Sequence, residues 1–166
     1  SSLIPASQRK DYQLTMSKAK ACPINLAELS DIRSSKDLLV GNSNVTEDTL
    51  YTLLQQSLED MNVSPDIEAA NSVKVILNRA FIKSLGSNMV ATVVLKVRYK
   101  PDYADEYSPA TTFRGQSMNV NANISEEQSN QIAIDAMKTA IDDATKRIKS
   151  SLLHNCSDAL GEIEAV

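Results

Sequence analysis

The most distinctive polar segment in this sequence is YKPDYADEY, residues 99–107. It holds three of the five tyrosines of the chain and three acidic residues. Tyrosine is a common anchor of protein interfaces, because its ring supplies contact area and its hydroxyl supplies a hydrogen bond. The segment is therefore a candidate partner-binding loop, whose contact residues would be Tyr99, Tyr103, Asp105, Glu106 and Tyr107.

Two other interpretations of this segment stay open. In a long hairpin connection, the tyrosine rings would pack on the strands that carry the loop and would be structural. Alternatively, Asp102, Asp105 and Glu106 would hold a weakly bound cation, because carboxylates are hard oxygen ligands. The segment lacks the regular Asp/Asn ladder and the glycine of a calcium-binding loop. We therefore predict no metal site.

Residues that usually carry enzyme chemistry are scarce. His154 is the only histidine, and a catalytic histidine needs a nucleophile or an orienting carboxylate that no motif supplies here. We interpret it as a helix-end residue. The carboxylate pairs, such as Asp142 with Asp143, are typical of solvated helix faces. Because the four glycines form no phosphate-binding cluster either, the sequence predicts no cofactor, no catalytic residue and no enzyme.

Bulk composition excludes two classes of partner or environment. The formal net charge of -4, with only two Phe and five Tyr, argues against binding of nucleic acid. No run of the sequence approaches the roughly 20 apolar residues that a membrane-spanning helix needs.

The two cysteines, Cys22 and Cys156, lie near opposite ends of the chain. In a reducing compartment they would be two buried thiols. In an oxidising compartment they could form one disulfide that ties an early segment to the C-terminus. Closing so long a loop stabilises a fold by about 4–5 kcal/mol in the chain-entropy treatment. The sequence alone leaves both states open.

Two amphipathic helices are predicted from apolar residues spaced three and four apart. The first covers residues 47–61, with Thr46 as N-cap and acidic residues in its first turn. The second covers about residues 126–153 and opens with a capping box of Ser125 and Gln128. Its small residues Ala140 and Ala144 indicate close approach to another element.

Between the helices the apolar period changes to two, which predicts strands with one buried face. These strands cover residues 73–78, 91–99 and 111–120, and a turn at 84–88 joins the first two. Residues 12–16 and 24–32 are candidate strands, and residues 34–44 are a polar loop. The predicted fold is an α+β two-layer sandwich, with an antiparallel sheet of about four to five strands and two helices on one face.

The predicted organisation is one domain over residues 11–153, between a flexible tether at 1–10 and a C-terminal tail at 154–166. The other sheet face would be solvated. Basic residues of the strands could form a positive patch on it, namely Lys74, Arg79, Lys96, Arg98 and Lys100.

Several short motifs in this order resemble a known family. Asp31-Ile-Arg33 ends an early strand and Leu39-Val-Gly41 follows it; then come the Leu-rich helix, a three-strand meander and a helix that opens with Ser125-Glu-Glu. Over residues 22–152 this resembles the YajG-type bacterial envelope lipoproteins, and more loosely the auxiliary lipoproteins of envelope ABC transport systems. The acidic Tyr segment and residues 153–166 depart from the pattern. For Asp31 and Arg33, a local ion pair or turn is the simpler explanation.

The resemblance implies a non-enzymatic lipoprotein on the periplasmic side of the outer membrane. Its lipid would sit on a Cys before Ser1, which this chain does not contain, and it would be the sole link to the membrane. We expect a binding or scaffold module with an envelope protein or a lipid as partner. The alternative is a carrier of a small apolar ligand or lipid, or a transport-accessory protein, with a cavity between helices and sheet.

Overall fold

A computed structural model describes residues 22–40, 43–120 and 126–152, apart from the side chains of residues 40 and 126. The described residues form seven strands and two helices. In chain order these are β1 (Ile24–Asp31), β2 (Leu38–Val40), β3 (Ser43–Val45), α1 (Glu47–Asp60), β4 (Val63–Ser64), β5 (Ser72–Leu85), β6 (Asn88–Lys100), β7 (Thr111–Val120) and α2 (Glu126–Leu152).

Five of the strands form one sheet in the order β4-β1-β5-β6-β7. The predicted meander is confirmed, because β5, β6 and β7 pair antiparallel with their neighbours. The sheet as a whole is mixed rather than antiparallel, because β1 runs parallel to both β4 and β5. Parallel pairing needs a crossover connection, and the segment with β2, β3 and α1 supplies it.

The helices cover the inner face of this sheet, so the predicted α+β two-layer class is confirmed. Alternate residues of β6 from Met89 to Tyr99 point inward and are at most 6% exposed. α2 packs against β6 and β7, and it also contacts α1. Thr46 is the N-cap of α1, as predicted, and its side chain accepts a hydrogen bond from the main-chain N–H of Thr49.

The two layers approach each other closely at Gly115 of β7. A Cβ placed there would lie 1.9 Å from the carbonyl oxygen of Ala140 and 2.8 Å from the main-chain nitrogen of Ala144. Such distances are impossible for a real side chain, so only glycine fits. The close contact predicted for Ala140 and Ala144 is therefore confirmed, and its partner is the edge strand of the sheet.

The other contacts of α2 tie it to that edge strand and to α1. The main-chain N–H of Gln116 donates to Asp143 Oδ2 at 3.2 Å. On the opposite side, the buried Ser57 hydroxyl of α1 donates to Asp142 Oδ1 at 2.7 Å and lies 2.6 Å from Thr145 Oγ1. The Asp142–Asp143 pair therefore joins elements together rather than forming a solvated face.

Two parts of the chain differ from the sequence prediction. The predicted loop 34–44 contains the strands β2 and β3, which pair antiparallel as a separate small sheet. β5 continues beyond the predicted strand 73–78 as far as Leu85. A register shift between Leu77 and Arg79 interrupts the alternation of buried and exposed residues in β5. Because of this bulge, the second half of the strand does not continue the period-two pattern of the first half.

Several predictions fall on residues outside those described. They concern the tether 1–10, the strand 12–16, the tail 154–166, His154 and Cys156, and they stay predictions. Among the described helices, none is both long and apolar enough to cross a membrane.

Candidate functional site

The loop between β6 and β7 separates the predicted contact residues into two groups. Tyr103 is 79% exposed, and Asp105 and Glu106 are exposed beside it. Tyr99 is only 6% exposed, because it is the last inward-facing residue of β6. Tyr107 is half-buried. The exposed surface of the loop is therefore formed by Tyr103, Asp105 and Glu106.

Tyr107 holds the loop against β5. Its hydroxyl lies 2.8 Å from Ser72 Oγ, and the Lys74 ammonium lies 4.4 Å from the centre of its ring. A main-chain hydrogen bond also joins the two ends of the loop, because the N–H of Ser108 donates to the carbonyl of Tyr99 at 2.7 Å. Tyr107 is thus a structural residue of the loop.

Tyr99 is held in an environment that opposes ionisation. Burial, and then the negative charges of Asp102 and Tyr103, raise the pKa of Tyr99 to about 12. Its hydroxyl has no hydrogen-bond partner among the described residues. The raised pKa therefore keeps the hydroxyl protonated at physiological pH.

The outer face of the sheet, opposite the helices, is the largest functional candidate. The register places seven basic side chains on it: Lys74, Arg79, Lys83, Lys96, Arg98, Lys100 and Arg114. The strands β5, β6 and β7 contain no Asp or Glu. Outside these three strands, Glu28 of β1 lies opposite Lys74 of β5 in the register. We call these seven residues the basic face.

Like charges lie directly opposite each other in the basic face. Lys74 pairs with Arg98 across β5 and β6. Directly opposed like charges destabilise a sheet by a few tenths to about 1 kcal/mol. The chain as a whole has a net charge of -4. The basic face is therefore a positively charged surface on a protein that is negatively charged overall.

The end of this face nearest the β5–β6 turn is apolar. Leu85, Met118 and Val120 are 57%, 65% and 68% exposed. The register brings them together, because Leu85 pairs with Asn88, which in turn pairs with Val120. The outer face therefore combines positive charge over most of its length with an exposed apolar end.

The sequence predicted five of the seven basic-face residues and missed Lys83 and Arg114. Lys83 follows the bulge in β5, so its side was not evident from alternation. Arg114 alternates with Phe113 in β7, and this alternation was the signal that could have identified it.

Enzyme or metal chemistry would need a suitable pocket or a cluster of ligand residues. A surface pocket of about 540 Å³ lies between the C-terminal turn of α1 and α2, and it is lined by Glu59, Asp60, Asp142 and Lys146 among others. Among the described residues, no group of three or more His, Cys, Asp or Glu is arranged to hold a metal ion.

The sequence matches no protein-family model and no curated protein. Several solved structures are similar in fold. A Xanthomonas campestris protein of the family DUF330 superposes with a TM-score of 0.52 at 13% identity, over 82% of this chain and 86% of that chain. A likeness at this identity concerns the fold alone.

Two other similar structures are named lipoproteins. A putative lipoprotein from Caulobacter crescentus has a TM-score of 0.49 at 10% identity, over 86% of this chain and 95% of its own. A minor lipoprotein from Acinetobacter baumannii has a TM-score of 0.46 at 16% identity, over 81% of this chain and 96% of its own.

Proposed function

We propose that this chain is a non-enzymatic binding module of a bacterial envelope lipoprotein, and that its basic face lies against an anionic membrane surface. The lipoprotein part starts from the resemblance of residues 22–152 to YajG-type lipoproteins. The observation that carries the binding part is the basic face, whose seven cations have no acidic residue within β5, β6 or β7.

The composition of the basic face favours lipid headgroups over a protein as the partner. Four of its seven cations are lysines. Lysine is depleted in the buried cores of protein interfaces, whereas a cluster of four to eight basic residues is typical of surfaces that bind anionic lipids. The exposed Leu85, Met118 and Val120 supply apolar side chains at one end, which suits shallow contact with a lipid surface.

Vesicle binding tests the proposal directly. The wild-type chain is expected to co-sediment with phosphatidylglycerol vesicles at low salt, to release as salt rises, and to bind phosphatidylcholine vesicles weakly. Equal binding to both kinds of vesicle would overturn the proposal. An acidic protein would then be the better candidate partner.

A matched pair of variants separates the face from net charge. The triple variant Lys96→Gln, Arg98→Gln, Arg114→Gln removes three cations from the basic face. The control Lys138→Gln, Lys146→Gln, Arg147→Gln removes three exposed cations from α2. Only the first is expected to lose vesicle binding, by roughly 100-fold if each of the three contacts contributes about 1 kcal/mol. Equal losses in both would contradict a role for the face.

The exposed surface of the β6–β7 loop is proposed as a second contact surface, for an envelope protein. Tyr103 carries this idea, because a tyrosine that is 79% exposed contributes little to its own fold. Pull-down from envelope extract with Tyr103→Ala tests it. Tyr107→Ala is the structural comparison, and unchanged partners in Tyr103→Ala would remove the loop from consideration.

The alternative, a carrier with a cavity between the helices and the sheet, has little support. Where α2 crosses the sheet, the interlayer is filled by residues that are 0–1% exposed, including Ala133, Met137 and Ile141. The contact at Gly115 also leaves no space there.

A further inference from the structure

A pocket of about 400 Å³ opens between the segment after β1 and the second half of β5. Its polar lining comes from one side as Arg33, Ser34 and Ser35, and from the other as Asn78, Arg79 and Lys83. Three cationic side chains and two hydroxyl-bearing residues therefore line one pocket.

Arg33 is the buried member of this group. Its side chain is 4% exposed, and Asp31 accepts hydrogen bonds from Nε at 2.9 Å and from Nη2 at 2.7 Å. The short-range ion pair predicted for this motif is thereby confirmed. The third nitrogen, Nη1, is buried and has no hydrogen-bond partner among the described residues. A buried donor without an acceptor is costly. Because Nη1 is covered in this structure, an acceptor in the pocket reaches it only after a small shift of the Arg33 side chain or its neighbours.

The charge around the pocket stays positive after the ion pair is counted. Burial acts to raise the pKa of Asp31, but the hydrogen bonds and charge of Arg33, together with Lys36, bring it below its ordinary value. Its one negative charge thus faces two cations, since Lys36 Nζ lies 3.5 Å from Asp31 Oδ1. Arg79 and Lys83 add two more cations, and no carboxylate lines the pocket.

A recess of about 300 Å³, lined by both apolar and polar groups, adjoins the pocket. The two share Ser35, Ala80 and Phe81, and the recess extends along Leu38, Leu39 and Ile82. Asp37 also lines the recess, where its carboxylate accepts a hydrogen bond from the main-chain N–H of Glu47 at 3.2 Å. Leu39 is 73% exposed, so an apolar side chain is left open to solvent.

The Phe81 ring joins the two parts. Arg79 and Lys83 lie over it, with the guanidinium carbon 5.4 Å and the ammonium 5.3 Å from its centre. The cations are thus held beside a ring that lines both the pocket and the recess. A ligand with an anionic head and an apolar chain would match this arrangement.

We propose that the pocket binds an anionic amphiphile, with its oxyanion head against Arg33, Arg79 and Lys83 and its alkyl chain along the Leu38–Leu39 recess. This goes beyond the proposed function, because Arg33 lies outside the basic face and the ligand is a single molecule rather than a membrane surface. Arg79 and Lys83 belong to both, so the tests below use a monomeric ligand in place of vesicles and include Arg33, Leu39 and Lys96, each of which belongs to only one of the two.

Three soluble probes separate the head from the chain: octyl phosphate below its micelle concentration, inorganic phosphate, and octyl glucoside. Calorimetric titration of the full chain is expected to show octyl phosphate binding at least about tenfold tighter than either of the others, because only it engages both parts of the site. Inorganic phosphate that binds as tightly as octyl phosphate would overturn the amphiphile and indicate a simple anion site. Octyl glucoside that binds equally well would overturn the anionic head.

Variants place the binding at this pocket. Arg33→Lys keeps a positive charge beside Asp31 but removes the Nη1 donor, and it is expected to weaken octyl phosphate binding by about tenfold. Leu39→Asn is expected to weaken octyl phosphate but not inorganic phosphate. Lys96→Gln is the control, because Lys96 belongs to the basic face and does not line the pocket.

A second variant, Lys83→Gln, tests the pocket even if Arg33→Lys fails to fold. Lys83 is exposed at the surface, so Lys83→Gln leaves the core untouched. It is expected to weaken octyl phosphate binding by a few fold, whereas Lys96→Gln leaves it unchanged. Equal effects of these two variants on octyl phosphate binding would overturn the proposed pocket. The basic-face triple variant separates this site from the proposed function, because it is expected to lose vesicle binding while octyl phosphate binding stays intact.

Discussion

The side-chain ammonium of Lys149 donates a hydrogen bond to the main-chain carbonyl of Cys22. The contact joins the last turn of α2 to the residue just before β1, across 127 positions of sequence. Lys149 is 1% exposed, and no carboxylate among the described residues pairs with it in an ion pair. Burial lowers the pKa of Lys149 to about 8.

This burial predicts a pH dependence of stability. Between about pH 8 and the ordinary lysine value of 10.5, the unfolded chain binds more protons at this position than the folded chain does. The free energy of unfolding should therefore rise with pH across this window. The free energy of unfolding of the wild type minus that of Lys149→Met should increase by about 3 kcal/mol across this pH window.

Chemical denaturation of both proteins from pH 7.5 to 10.5 measures this difference. The comparison is needed because Tyr99, with its pKa raised to about 12, acts in the opposite direction at the upper end, and its contribution cancels between the two proteins. A difference that stays constant with pH would show that Lys149 is solvated.

Gly115→Ala is expected to destabilise the fold by about 3 kcal/mol, because the new methyl group would overlap the main chain of Ala140. Gly86→Ala is the matched control. Gly86 has a positive φ of 61°, but a Cβ added there would meet no atom within 4 Å, so only backbone strain of about 1 kcal/mol is expected. Urea denaturation distinguishes the two, and similar losses would mean that α2 shifts easily on the sheet.

Ser57→Ala is expected to lower the free energy of unfolding by about 1–3 kcal/mol, since it leaves Asp142 and Thr145 without their buried hydroxyl partner between the two helices. The control is Thr139→Ala, whose exposed hydroxyl bonds only to its own helix at Asp135. That change should stay within about 0.5 kcal/mol. Equal effects on urea denaturation would indicate that the α1–α2 contact is loose.

The disulfide between Cys22 and Cys156 stays a prediction, since Cys156 lies outside the described residues. Cys22 is 2% exposed and lies beside the start of β1. Alkylation of the unfolded protein, followed by intact mass measurement, is expected to add two alkyl groups after reduction and none without it. Full alkylation without reductant would show two thiols.

Much of the fold follows from periodicity. The predicted helices at 47–61 and 126–153 match α1 and α2 to within one residue at each end. The parallel direction of β1 did not follow, because a half-buried strand shows the same alternation whichever way its neighbour runs. β2 and β3 have three residues each, too few for a period to be recognised.

The candidate sites were predictable to a smaller degree. Alternation correctly predicts that Lys96 and Arg98 lie on the outer face. The same alternation directs Tyr99, one of the predicted contact residues, inward. The burial of Lys149 depends on how the start of β1 meets α2. Contacts between distant segments of this kind leave no mark on local sequence.

The hydrogen bond from Gln116 to Asp143 has a consequence for how the molecule behaves among its own copies. β7 is the last strand of the described sheet, and such a strand can add a strand from another chain and begin aggregation. Because Asp143 of α2 accepts from an outward-facing N–H of β7, the helix occupies part of that edge. The same helix that covers the core thus also withdraws one N–H of this edge from pairing with another chain.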